Sequence, residues 1–174
     1  MRSEWVDKEI LSHIFAALTD TNKLVCVVSL TTGLRVGDVL RLKTAQLEKS
    51  ARFVIKEEKT GKSKQVYFDK KTREFLLRQA GRFWVFENRV DPKRHRTRQA
   101  VYKDLRRAAA AFRVSKHLSP HSMRKIYAVN YYHKCGNIGK VKELLNHSSE
   151  AVTFIYAMAD VLTNQKNKKL TKKK

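Results

Sequence analysis

Residues 52–68 read R-F-V-I-K-E-E-K-T-G-K-S-K-Q-V-Y-F. β-branched and aromatic residues gather in 52–58 and again in 64–68, and Thr60-Gly61-Lys62 supplies a turn between them. The stretch predicts an antiparallel hairpin. Outward from it, most of the chain reads as helix. Residues 4–18 space Ile10, Ile14, Phe15 and Leu18 on one helical face. Residues 21–32 form a more apolar helix that Gly33 can end, and a short helix follows from Val36 to Leu42. Further helices are expected over 70–80, 98–113, 120–134, 138–145 and 149–158, with a third strand at about 83–86 (F-W-V-F). The expected fold class is α+β, mainly α-helical: a helical domain with a small antiparallel β-sheet of about three strands.

The chain has 174 residues, enough for one domain. We expect that domain to fill residues 1–159, with a basic tail over 160–174. Cys26 and Cys135 both fall inside predicted helices, which argues against an extracellular disulfide framework and for a reducing cytoplasm. No apolar run approaches the ~20 residues of a membrane span. No second Cys/His pair completes a zinc site around His133 and Cys135. The formal net charge is +22, an excess that suits a polyanionic partner better than a small neutral substrate. Charge alone does not choose between DNA, RNA and an anionic membrane.

Six residues carry the chemistry. Arg35 lies in T-T-G-L-R-V-G-D-V-L, and Lys59 in K-E-E-K-T-G-K-S-K. His121 and Arg124 lie in S-P-H-S-M-R-K, and His147 in E-L-L-N-H-S-S. Tyr156 follows in V-T-F-I-Y. Attack on a phosphodiester needs charge neutralised on the non-bridging oxygens, a deprotonated nucleophile and a protonated leaving oxygen. The planar arginine fork holds two phosphate oxygens and stays charged. Arg35 follows Gly33-Leu34 at a helix junction. Arg124 stands one helical turn after His121, so the two share a face. Pro120 suits the first turn of their helix and Ser119 its cap. A tyrosine with pKa about 10 becomes a nucleophile beside guanidinium groups and a histidine base. A lysine on a hairpin tip can reach the leaving oxygen.

Taken singly, each residue has a plainer reading as a surface, capping or core side chain. Lys62 or Lys64 could take the place of Lys59. The joint pattern, in order and spacing, resembles the tyrosine recombinase (phage integrase) family from about residue 20 to about residue 158. That resemblance implies a catalytic domain for site-specific DNA recombination, as in integration or excision of a phage or mobile element. Tyr156 would attack the scissile phosphate and form a 3′-phosphotyrosyl link. Arg35 and Arg124 would hold the phosphate, Lys59 would be the general acid, His121 would exchange protons, and His147 would hydrogen-bond the phosphate. Asp38 would brace the site from behind. The partner would be double-stranded DNA, with a monomer in isolation and a homotetramer on DNA. No metal or nucleotide cofactor is implied, because bond energy is kept in the phosphotyrosine. The sequence departs from the family in Lys125, where histidine is usual, and in Asn146 before His147, where glycine is usual. The N-terminal core-binding domain of the family is not expected in these residues.

Two other motifs fail. Thr60-Gly61-Lys62-Ser63 resembles the end of a P-loop, but Lys56 stands where that loop needs glycine. Asp38 with Glu57-x-Lys59 resembles a metal-dependent nuclease core but leaves His121, Arg124, His147 and Tyr156 idle. The functional alternatives are a catalytically inactive DNA-binding module and a type IB topoisomerase-like strand cleaver.

Overall fold

A computed structural model describes Val6 and residues 8–145. His147, Tyr156, the helix expected over 149–158 and the basic tail lie outside the described residues. The chain divides into two compact units, residues 1–126 and 127–174.

The first unit is built on α1 (Lys8–Ala17), α2 (Asp20–Thr32), α3 (Val36–Leu40) and α4 (Thr44–Lys49). The hairpin β1 (Arg52–Lys56) and β2 (Ser63–Tyr67), α5 (Lys70–Gln79), α6 (Arg98–Ala111) and the start of α7 (Pro120–Cys135) complete it. The fold is mainly helical with one small antiparallel sheet. Leu11, Ile14 and Leu18 of the N-terminal stretch are buried, with Ile10 and Phe15 partly covered at the margin. α1 and α2 both pack against α6. Val101, Leu105, Ala108 and Ala109 of α6 supply the buried face that spacing of three and four requires. Leu34, Leu40, Leu42, Leu47, Phe86, Leu118 and Met123 close the core with almost no exposure.

Asp104 fastens two of these helices. It is the buried acid of α6, and its carboxylate accepts from the Thr19 backbone N–H (3.0 Å), the Thr19 hydroxyl (2.8 Å) and the Asn22 amide (2.7 Å). Arg107, one turn on, donates to the other oxygen at 2.7 Å. Burial alone would raise this carboxyl's pKa, but those hydrogen bonds outweigh it and hold the value down at about 2.

The hairpin pairs Arg52 with Tyr67 and Lys56 with Ser63. Alternation decides its inner face: Ile55, Val66 and Phe68 are buried, while Val54 and Tyr67 are exposed. Gly61 takes the turn at φ 66°.

The expected third strand does not form. Trp84 makes only an isolated bridge to Lys43. The neighbouring groups bond elsewhere: Val85 N–H to the Leu42 carbonyl (2.9 Å), the Phe86 carbonyl to Arg96 N–H (2.7 Å), and Gly81 N–H to the Trp84 carbonyl (3.0 Å). With its backbone divided among three segments, F-W-V-F cannot extend a ladder. The sheet therefore has two strands among the described residues. α4 was not expected. It is six residues long with one fully buried apolar side chain, Leu47, too short to show a period.

In the second unit, α8 (Ile138–Leu144) follows the later part of α7. Gly136 turns the chain at φ 63°, and the Asn137 side chain caps α8 by accepting from Lys140 N–H. Ala128, Val141 and Leu145 form a small core there, flanked by Tyr127, Tyr131 and Tyr132. Among the described residues no helix is long and apolar enough to cross a membrane.

Candidate active site

α2 ends at Gly33 in the left-handed conformation (φ 67°), which turns the chain sharply into α3. The Ser29 hydroxyl donates to the Leu34 carbonyl at 2.7 Å and Gly33 N–H to the Ser29 carbonyl at 2.9 Å, fixing that turn. Arg35 is the residue before α3 and projects from this rigid corner. Its side chain is only 13% exposed, and Nη1 lies 2.8 Å from Glu57 Oε2.

Arg124 reaches the same corner from α7. Ser119 accepts from His121 N–H at 3.2 Å, as a cap before Pro120 should. One turn later Arg124 is buried, donates to the Gly33 carbonyl, and sets Nη1 3.8 Å from Glu57 Oε1. His121 is half-buried on that helix. Arg35 and Arg124, far apart in sequence, thus meet on one carboxylate. Isolated guanidinium groups would repel at this range; a buried acid between them makes the arrangement stable.

Asp38 stands one turn after Arg35 and is buried. Its Oδ1 accepts from the Glu58 backbone N–H at 2.9 Å and from Arg41 at 3.3 Å. It thereby anchors the β1–β2 turn to α3. Glu58 itself pairs with Arg41 (3.1 Å) and Arg98 (2.9 Å) across α3 and α6. Gly37 permits this approach: a Cβ there would lie 3.1 Å from a Glu58 oxygen and 3.2 Å from Arg98.

The lysines separate by their place in the hairpin. Lys59 and Lys62 are exposed on the turn, and Lys59 lines an open groove of ≈ 290 Å³ with Arg35, Gly37, Asp38, Glu58 and Arg98. Lys64 lies on the inner face with Val66 and Phe68. Its Nζ donates to the Thr32 carbonyl, 3.0 Å away at the end of α2. Burial, then the Arg124 charge, push its pKa down to about 8, against the pull of Glu57.

Within the first unit, then, Arg35, Asp38, Lys59, His121 and Arg124 are described, and Arg35 and Arg124 converge on one carboxylate. Glu57 and Lys64 join them. Sequence reasoning met Glu57 only in the nuclease motif. Period-two alternation from Ile55 was the available signal, since it turns Glu57 inward and Glu58 outward. Asp38 and Glu57 both face arginine cations rather than each other, unlike a paired-carboxylate metal site. Among the described residues no three His, Cys, Asp or Glu side chains gather as metal ligands.

A cationic pair tied by a buried acid thus sits on a mainly helical scaffold, and arginine forks of this kind are suited to an oxyanion. Residues 4–162 match the model of the phage integrase family, and the chain belongs to that family. It is 26% identical over 167 residues to the probable integrase/recombinase YoeC of Bacillus subtilis, covering 87% of each chain. It is 25% identical to the integrase of Escherichia phage P2, covering 88% of this chain and 42% of that one. In structure it resembles a lambda integrase dimer bound to a COC′ core site, with TM-score 0.74 and 18% identity, covering 88% of this chain and 59% of that one. The chain thus spans less than two-thirds of the length of the phage P2 integrase and of that lambda integrase chain.

Proposed function

We propose that this domain performs site-specific DNA recombination by cutting and rejoining strands through a covalent tyrosine intermediate. The observation that carries the reading is the meeting of Arg35 and Arg124 on Glu57, in a chain that belongs to the phage integrase family. The two forks supply fixed positive charge for the non-bridging oxygens of one phosphate. The Tyr156 oxygen attacks phosphorus, a bond from that oxygen to phosphorus forms, and the bond to the 5′ oxygen breaks. The result is a 3′-phosphotyrosyl link and a 5′-hydroxyl, once a lysine donates its proton to the leaving oxygen. His121 exchanges protons with the nucleophile, and His147 hydrogen-bonds the phosphate. A 5′-hydroxyl from another strand then reverses the steps and rejoins the backbone. The partner is double-stranded DNA, on which the monomer assembles as a tetramer.

A nicked suicide substrate carrying the element's own ends tests this, run on a denaturing gel. We expect a covalent protein–DNA adduct that survives excess EDTA, because arginines rather than metal ions supply the charge. Loss of the adduct in EDTA and its return with magnesium would favour a nuclease. DNA binding with no adduct would favour an inactive binding module. An adduct without strand exchange between duplexes would favour a topoisomerase.

One observation opens a second reading of the acid. Lys59 is exposed, whereas Lys64 is held at the arginine cluster with a pKa near the working range of a general acid. A 5′-bridging sulfur leaves without a proton, so it rescues loss of the true acid alone. We expect rescue of Lys59→Ala. Rescue of Lys64→Ala instead would transfer the role.

A further inference from the structure

Glu57 is the most enclosed charged group of the site, with a fully buried side chain. A carboxylate is removed from water only where cations and hydrogen bonds replace the lost solvation. Its partners come from three separate parts of the chain. Arg35 lies at the α2–α3 corner, 2.8 Å away, and Arg124 lies on α7 at 3.8 Å. The Thr60 hydroxyl donates to Oε2 at 2.8 Å from within the turn that carries Lys59. The backbone of Glu57 closes that turn as well. Its N–H donates to the Lys62 carbonyl at 2.9 Å, and its carbonyl accepts from Gly61 N–H at 2.9 Å.

The consequence is mechanical as well as electrostatic. Without this carboxylate, Arg35 and Arg124 would repel each other and splay before a phosphate arrived. With it, the forks are held near one another in advance, so less ordering remains to be done on substrate binding. The Thr60 bond passes the same registration to the lysine turn. We propose that Glu57 is a positioning residue for strand cleavage: one buried carboxylate sets Arg35 against Arg124 and, through Thr60, registers the Lys59 turn to both. The inference rests on reading the two arginines as the phosphate holders. Glu57 itself touches no reacting atom.

Single-turnover cleavage of the nicked suicide substrate at saturating DNA tests it. Each variant is assayed with an oxygen and with a sulfur at the 5′-bridging position. Glu57→Gln keeps the shape and removes the charge. It should slow cleavage about 100-fold, the scale of a small misplacement of catalytic groups. The DNA dissociation constant should stay within about threefold, since a chain of net charge +22 carries most of its attraction to phosphate outside this one group. Sulfur should not restore Glu57→Gln, because the arginine pair itself is disordered. Thr60→Val cuts the link from Glu57 to the turn, together with the bond that the Thr60 hydroxyl accepts from Lys62 N–H within it. It should slow the oxygen substrate about tenfold and approach the wild-type rate on the sulfur substrate. A general loss of stability would slow both substrates alike, so the split between them marks positioning. Melting curves accompany the assay, and if Glu57→Gln fails to fold, Thr60→Val carries the test. Wild-type cleavage by folded Glu57→Gln, or equal slowing of both substrates by Thr60→Val, overturns the role of Glu57. Absence of any adduct from the wild-type protein overturns the strand-cleavage reading and this inference with it.

Discussion

Arg35 holds a guanidinium 2.8 Å from a carboxylate that sees no solvent, and Arg124 shares that carboxylate from another helix. Charge and geometry both matter at such a site, and substitution separates them. Arg35→Ala or Arg124→Ala should each remove about 3–4 kcal/mol of transition-state stabilisation, a loss of roughly 100- to 1,000-fold in cleavage rate. Arg→Lys keeps the charge and loses the fork, so it should recover only part of the rate. Single-turnover cleavage measures this, and wild-type rates in both lysine variants would remove the arginines from their role. Lys64 offers a test through stability. Burial first, and Arg124 second, lower its pKa from the ordinary 10.5 to about 8. The unfolded chain therefore binds more protons than the folded one between those values, and stability from this group rises with pH across that window. Below about 8 both states are protonated and the folded state carries the full cost. Lys64→Met removes that cost, so the melting temperature of the variant minus that of the wild type should be most positive near pH 7. It should fall as pH approaches 10. Thermal melts at both pH values check this, and a difference independent of pH would contradict it.

Between elements, Asp104 fastens α6 to the start of α2. Its pKa lies below the ordinary carboxylate value, at about 2 against 3.8. Its contribution is therefore present above pH 3.8 and lost as pH falls towards 2, worth about 2 kcal/mol at neutral pH. Asp104→Asn should lower the melting temperature by about 4–8 °C at pH 7. The gap should close in acid, and a constant gap from pH 7 to pH 2.5 would refute the assignment. Legibility in the sequence varied at this scale for physical reasons. The hairpin was readable because its strands and turn are local, and Gly33 because a helix end needs the left-handed conformation. α4 was not, since T-A-Q-L-E-K offers one fully buried apolar side chain and no period. F-W-V-F carried strand composition, but Leu42 and Arg96 take its backbone bonds. At the site, Arg35 and Arg124 stood out by their motifs. Glu57 did not, because no motif marks it and only the alternation carried on from Ile55 separates it from the adjacent Glu58.

At the scale of the molecule, a net charge of +22 and membership of the phage integrase family support the proposal that the partner is the DNA phosphate backbone. The arginine pair explains how a single phosphate would be held within that larger attraction. His147 and Tyr156 lie outside the described residues, so their part in the account rests on sequence alone. The central claim is that the tyrosine oxygen becomes bonded to the cut strand. The most direct measurement is peptide mapping by mass spectrometry of the adduct trapped on a nicked suicide substrate in excess EDTA, alongside Tyr156→Phe. The account predicts a nucleotide 3′-phosphate on the peptide containing Tyr156, and no adduct from Tyr156→Phe although it still binds DNA. An adduct mapped to any other residue, or one that persists in Tyr156→Phe, would contradict it.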